Sequence, residues 1–356
     1  MFLKGAEIFF KNLISRILFG LRKSKYKPGT LELNKNSKVL CIRLNRAGDA
    51  LVSTPFILLL QRSTGCTIDV LADKFNSFVF ENNPSIRNIH KFRKSSSGIK
   101  EVVSLIKQEK YDVIIDLHDD VSSTVSLILS KVKGTEIAGT KKKYYKLYTK
   151  LVDRLDPQKY HIIDRTLEIG KIFGLNASDL RPVINSTGEE KIIVDKFLKD
   201  NNLNGYLIAV NISAGSNARF WGVNNFKRLL NKLNEFDVKI ILLASPNEID
   251  IANEISEGNF PVSAEPTFGG LAEIISRVNL VFTPDTSVVH LASAFNIPVF
   301  GIYVHYNTSD MIWSPYNTEF DCVITKEPTL HNMDYNEVEQ KFIKFLNQRL
   351  KNETST

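Results

Sequence analysis

Three short segments of this chain hold residue types that can move protons or bind phosphate. The first, Leu44-Asn45-Arg46-Ala47-Gly48-Asp49, leaves a buried apolar run and opens a helix. A carboxylate at such a mouth can take a proton from a substrate hydroxyl, and Arg43 and Arg46 are close enough in sequence to orient Asp49. Gly48 allows a sharp turn or a close backbone approach, and the helix amides behind it can face an anion. An aspartate at a helix start is also a routine cap, so spacing alone leaves Asp49 with two readings. The second segment, residues 211–221, runs through a small polar loop to Arg219-Phe220-Trp221. Backbone amides around Gly215, with the Ser213 and Ser216 hydroxyls, can cradle a phosphate, and Arg219 can grip it bidentately or instead stack on Trp221. The third, Pro284-Asp285-Thr286-Ser287-Val288-Val289-His290-Leu291-Ala292, starts a helix with Asp285 as a natural N-cap. Its first free N–H groups, on Thr286 and Ser287, suit a diphosphate, and His290 lies one turn beyond Thr286 on the same face, where a structural histidine is also common.

All three follow β-branched runs, so the elements around them are an alternation of strands and helices. The first round has strands over 39–44, 67–71, 86–92, 111–117 and 136–138, with helices over 49–62, 99–109 and 122–131. The second has strands over 206–212, 238–243, 280–282 and 299–303. Its helices cover 189–200, 223–234, 247–257, 270–276 and 286–295, and a closing helix covers 334–350. This is the pattern of two doubly wound α/β domains, which bind ligands at the carboxyl ends of their strands and here would frame a central cleft. The divisions expected are residues 1–29, 30–185, 186–330 and 331–356. There is no GxGxxG and no GxxxxGK[ST], which speaks against a nicotinamide-dependent oxidoreductase and against a P-loop enzyme. The acidic run Asp116-Leu117-His118-Asp119-Asp120 could imitate a carboxylate metal cluster, but a loop of solvated acids at a strand end is the simpler reading.

Charge is unevenly placed. The chain of 356 residues carries a formal +7. Residues 1–27 hold seven Lys/Arg against Glu7, and residues 131–150 hold seven Lys against Glu136. The remaining body is mildly acidic, which argues against a nucleic-acid partner. Phe2, Ala6, Phe9, Phe10, Leu13, Ile17 and Leu21 form one helical stripe with basic residues around it, broken by Pro28-Gly29. No apolar stretch there approaches the ~20 residues that span a bilayer. Residues 1–29 are therefore expected as a basic amphipathic helix lying on an anionic membrane surface, the other reading being a helix docked on the protein's own core. Cys41, Cys66 and Cys322 are few, odd in number and widely spaced, as suits a reducing cytoplasm.

Taken together, the three segments resemble glycosyltransferase family 9, the ADP-heptose–lipopolysaccharide heptosyltransferases. Arg43 to Gly48-Asp49, followed by Thr54-Pro55, matches the family's strand-Arg-x-x-x-x-Gly-Asp. Arg219-Phe220-Trp221 matches a basic residue before Trp, and residues 285–292 match Asp-[Ser/Thr]-Gly-x-x-His-Leu-Ala. The resemblance spans residues 37–325 and implies a GT-B fold, two Rossmann-like domains facing a cleft, with inverting transfer and neither metal nor cofactor. It implies that Asp49 is the base that deprotonates the acceptor. It further implies that Arg219 stabilises the departing diphosphate and that Asp285, Thr286 and His290 hold the nucleotide-sugar donor. Arg219 stands where the family usually has Lys, and Ser287 where it has Gly. The acceptor would be a lipid-linked glycan such as a lipopolysaccharide core. Lys141, Lys142 and Lys143 are expected to meet its phosphates, or else to form a solvated charge run. The enzyme would work in the cytoplasm at the inner face of the membrane.

Overall fold

A computed structural model describes residues 23–353. Within them the chain divides into two compact units at Leu180/Arg181. The first begins with β1 (Lys38–Arg43), α1 (Ala47–Leu51), α2 (Thr54–Thr64), β2 (Thr67–Asp73) and β3 (Asn88–Phe92). It continues with α3 (Ser96–Glu109), β4 (Val113–Asp116), α4 (Ser123–Lys131), β5 (Glu136–Thr140), β6 (Lys150–Val152) and α5 (Ile162–Leu167). Its six strands pair in parallel in the order β3-β2-β1-β4-β5-β6. Val39, Leu40, Cys41 and Ile42 of β1 are wholly buried, the unbroken apolar run expected of a strand covered on both faces. Leu40, Ile42 and Ile114 join Val102 and Ile106 of α3 and Ile128 and Leu129 of α4 in one core.

The second unit comprises α6 (Gly188–Asp200), β7 (Leu207–Asn211), α7 (Val223–Leu233), β8 (Lys239–Leu243), α8 (Ile249–Ser256) and β9 (Val262–Ser263). After these come α9 (Phe268–Ser276), β10 (Leu280–Pro284), α10 (Ser287–Ala294), β11 (Val299–Val304), β12 (Phe320–Thr325) and α11 (Tyr335–Glu353). Its order is β12-β11-β10-β7-β8-β9, again all parallel. Each sheet therefore has the same path, working outward in both directions from its first strand. The reversal of direction falls between β1 and β4 in one and between β7 and β10 in the other. At such a switch point, loops leave the carboxyl ends of neighbouring strands in opposite directions and open a crevice for a ligand. The α11 residues Val338, Phe342, Phe345 and Leu346 are buried with Phe282 of β10 and Phe300 of β11, so the closing helix completes this core.

Several expectations change. The single helix over 49–62 is two, because Pro55 sits in the first turn of α2 and restarts it. Ser53 and Thr54 hydroxyls donate back to the carbonyls of Ala50 and Leu51 across the break. The sequence pattern missed β6, β9 and β12, and it missed α5. The amphipathic helix expected over 1–29 lies mostly outside the described residues. Residues 23–29 are within them and form no helix. Instead the Lys27 N–H donates to Thr149 O, and Lys150 Nζ donates to the carbonyls of Pro28 and Gly29, tying this stretch to the edge of the first sheet. Among the described residues no helix is long and apolar enough to cross a membrane.

Candidate active site

Asp49 lies in the first turn of α1, directly beyond the end of β1 at the first switch point. It does not cap the helix: Arg46 occupies the N-cap position, with no side-chain capping bond. Arg43 organises Asp49 instead. Its guanidinium is buried; Nε donates to Asp49 O at 2.9 Å, Nη2 to Asp49 Oδ1 at 3.0 Å, and Nη1 to Leu117 O at 2.5 Å. Burial pulls the Arg43 pKa down, and the carboxylates of Asp49, Asp116 and Asp119 oppose that pull. Asn45 Nδ2 adds a bond to the same Asp49 oxygen at 3.2 Å. Asp49 Oδ2 has no bond to match those on Oδ1, and the side chain is about one-fifth exposed. A carboxylate with one oxygen fixed and the other presented is suited to accept a proton. Gly48 has helical backbone, so what it supplies is the lack of a side chain beside Asp49, not a left-handed turn.

Residues that the sequence did not single out complete this corner. His118 Nε2 accepts the Leu44 N–H at 3.1 Å, and its Nδ1 lies 2.7 Å from Asp116 Oδ1. The other Asp116 oxygen receives the Tyr148 hydroxyl at 2.5 Å and sits 2.8 Å from Lys142 Nζ. Burial alone would raise the Asp116 pKa, but Lys142 and His118 hold it far below the usual carboxylate range. Burial lowers the His118 pKa and Asp116 opposes this, leaving the ring neutral near pH 7. Asn76, fully buried, caps the Arg43 carbonyl at 3.0 Å. Gly139 makes the arrangement possible: a Cβ there would lie 2.9 Å from the Tyr148 ring and 3.3 Å from Asp116 O.

These contacts correct two expectations. Asp116 and Asp119 are not solvated acids, since Asp119 is gripped by Arg154 and Arg165 and Asp116 by the cluster just described. Among the described residues no group of three or more His, Cys, Asp or Glu is arranged to hold a metal ion. The lysine triplet does not act as one surface. Lys142 turns inward to Asp116 and the His118 carbonyl, while Lys141 pairs with Asp153 and Lys143 lies over the Tyr144 ring.

In the second unit the other two segments meet at its own switch point. Arg219 Nη2 lies 3.0 Å from Asp285 Oδ2, and Nη1 donates to Asp285 O at 3.1 Å. Arg219 thus joins the loop after β7 to the turn after β10. It does not stack on Trp221, which is buried between Tyr335, Phe226 and Phe282. With its carboxylate turned to Arg219, Asp285 is not the cap either. Thr286 is, its Oγ1 accepting from Val288 N–H at 3.3 Å. Asn211, another residue not singled out, donates to Thr283 Oγ1 at 2.9 Å, Thr286 Oγ1 at 3.2 Å and Ser213 O at 3.1 Å. Its signal in the sequence was a lone amide at the end of an apolar strand. Ser213 Oγ accepts from the Ser245 N–H, so this hydroxyl shapes the loop. Gly215 and Ser216 are exposed, and Gly215 takes φ +61° with open space around it, a turn that a glycine makes without strain. Ser287 is the first residue of α10 with ordinary helical backbone, so nothing in the conformation requires glycine there. His290 is buried within α10, its ring 6.0 Å from Trp313.

The profile of glycosyltransferase family 9 (heptosyltransferase) matches residues 100–343, more than two-thirds of the chain. The chain belongs to glycosyltransferase family 9. This family-9 glycosyltransferase is 22% identical over 289 residues to lipopolysaccharide heptosyltransferase 3 of Escherichia coli, spanning 76% of this chain and 84% of that protein. Its fold is similar to a family-9 glycosyltransferase from Veillonella parvula (TM-score 0.76, 21% identity, 91% of this chain and 100% of that one). It is also similar to E. coli heptosyltransferase WaaC, solved with ADP (TM-score 0.67, 16% identity, 88% and 99%). The two-unit α/β architecture of this glycosyltransferase is thus that of GT-B heptosyltransferase structures.

Proposed function

We propose that this glycosyltransferase moves a heptose from ADP-heptose to a lipopolysaccharide core or related lipid-linked glycan, with inversion and without a metal or cofactor. The observation that carries the reading is the Asp49 carboxylate, with one oxygen held by buried Arg43 at the first switch point. Asp49 takes the proton of the acceptor hydroxyl as that oxygen attacks the anomeric carbon. The bond from that carbon to the diphosphate breaks, and ADP leaves with the electron pair. Negative charge builds on the leaving diphosphate, and a cation with fixed amides lowers the barrier to forming it. Arg219 and the first N–H groups of α10 supply these, and the Gly215–Ser216 turn can approach the phosphates closely. The family membership and the names of the relatives support heptose and ADP as the donor parts. The acceptor would be met at the inner face of the cytoplasmic membrane, with residues 1–22 on the anionic lipid surface.

The test is to screen ADP-, GDP- and UDP-sugars by thermal shift, and then to measure transfer from ADP-heptose to lipopolysaccharide lacking heptose. A ligand that binds only the folded state raises Tm. Asp49→Asn is expected to keep the thermal shift with ADP and to lose ~10²–10⁴-fold in turnover, the scale of a general base. Preference for GDP- or UDP-sugars would overturn the donor assignment, and an active Asp49→Asn would overturn the base.

A further inference from the structure

The cluster behind the Asp49 turn asks for an explanation that core packing does not supply. Asp116, His118 and Tyr148 are at most 2% exposed, and the Lys142 side chain is 6% exposed. Apolar side chains of similar volume often replace buried ion pairs with no loss of stability, since such pairs repay their desolvation poorly. The bonds of this cluster converge on one stretch of backbone. Leu117 and His118, consecutive at the end of β4, hold Arg43 and Leu44, consecutive at the end of β1. Arg43 in turn holds Asp49.

Each member has a definite part. The Leu44 N–H needs an acceptor, and His118 Nε2 can be one only if the ring is neutral with its hydrogen on Nδ1. Asp116 Oδ1, 2.7 Å from Nδ1, selects that tautomer. Lys142 and the Tyr148 hydroxyl occupy Asp116 Oδ2, which keeps the carboxylate ionised and fixed. Lys142 Nζ also binds the His118 carbonyl at 2.5 Å, closing the ring of contacts.

We propose that Asp116, His118, Lys142 and Tyr148 are a positioning cluster for the transfer reaction, setting the Asp49-bearing turn through Leu44 and Arg43. The proposal rests on the reading of Asp49 as the base. None of the four touches substrate in this scheme; they act through the backbone of residues 43–49. The cluster also gives Lys142 a role distinct from its exposed neighbours Lys141 and Lys143.

The experiment compares wild type, His118→Leu and His118→Gln, each alone and with Asp49→Asn, using the nucleotide sugar that wild type turns over. Gln Oε1 can stand where Nε2 accepts the Leu44 N–H; Leu cannot. His118→Leu should lose tenfold or more in kcat with the KM for the nucleotide sugar unchanged. His118→Gln should recover to within threefold of wild type, and in the Asp49→Asn background the two should differ no further. Histidine 15N NMR, assigned by loss of the signal in His118→Gln, should show the Nδ1–H neutral tautomer between pH 6 and 8. An Nε2–H tautomer, or equal kcat losses in the Leu and Gln variants, would overturn the cluster's role. So would a His118→Leu enzyme as fast as wild type while Asp49→Asn is dead, a result that leaves the base reading standing. An active Asp49→Asn would instead sink the base reading itself.

Discussion

Arg43→Lys is the sharpest single perturbation of the site, because it keeps the charge and removes the shape. The guanidinium reaches three acceptors at once: Asp49 O, Asp49 Oδ1 and Leu117 O. A lysine presents one nitrogen on a straight stem and cannot span them. Two charge-assisted bonds are lost, each worth about 1.5–3 kcal/mol, so the local cost is about 3–6 kcal/mol before any water enters. The expected outcome is a loss of about 3 kcal/mol in the stability of the first unit, at the low end of that range. Turnover should fall roughly 100-fold, equivalent to about 2.7 kcal/mol, as Asp49 loses its fixed partner. Urea unfolding checks the first number. Both tryptophans, Trp221 and Trp313, lie in the second unit, so their fluorescence serves as an internal control while far-UV circular dichroism follows the whole chain. Steady-state kinetics checks the second number. Stability within ~1 kcal/mol of wild type together with turnover within threefold would refute the argument. A tryptophan-detected transition that shifted as much as the dichroism would also refute it, since the effect would not be local.

Gly139→Ala places a Cβ 2.9 Å from the Tyr148 ring and should cost about 1–3 kcal/mol, read by urea unfolding; a neutral result would mean that the ring moves freely. Arg219→Ala should weaken ADP binding roughly tenfold by calorimetry, and Arg219→Lys should weaken it less, because charge matters there as well as shape; unchanged affinity in both would remove Arg219 from the donor site. Stability should also fall in acid. Burial would raise the Asp69 pKa, but bonds from His90, Arg87 and the Tyr111 hydroxyl outweigh it and hold the carboxyl well below its ordinary value. A depressed folded pKa gives stability that is fully present above the unfolded value of about 3.9 and is lost as pH falls below it. The urea midpoint should therefore hold near neutrality and drop below about pH 4, with a shallower acid slope in Asp69→Asn; equal slopes would show that Asp69 does not contribute.

What was legible in the sequence was whatever is local along the chain. The Asp49 turn, the Arg219 loop and the start of α10 each lie within a dozen residues, and the apolar runs of β1, β7 and β10 mark the strands that carry them. What the sequence hid was long-range or concerned the use of a side chain. His118 meets Leu44 across 74 positions and Tyr148 meets Asp116 across 32, so no window shows them as one cluster. Asp285 reads as a cap until Arg219, 66 positions earlier, takes its carboxylate, and Thr286 inherits the cap. Lys142 looks like part of a basic run because composition does not reveal which way a side chain turns. The strands β6 and β12 were missed because one has three residues and the other is a half-exposed edge strand, and neither carries a continuous apolar signal.

The tie between residues 27–29 and β6 bears on any deletion at the amino terminus. An open strand edge is a template for pairing with another chain. Here Lys27 donates its N–H to Thr149 O and pairs its ammonium with Glu136, while Pro28 and Gly29 accept from Lys150. Cutting after Arg22 leaves this cover in place. Cutting after Lys27 removes the bonds to Thr149 and Glu136 and leaves Pro28 and Gly29 as a free end beside Lys150. A truncation placed there would loosen the edge of the first sheet as well as remove the amino-terminal segment, so its effects would not report on that segment alone.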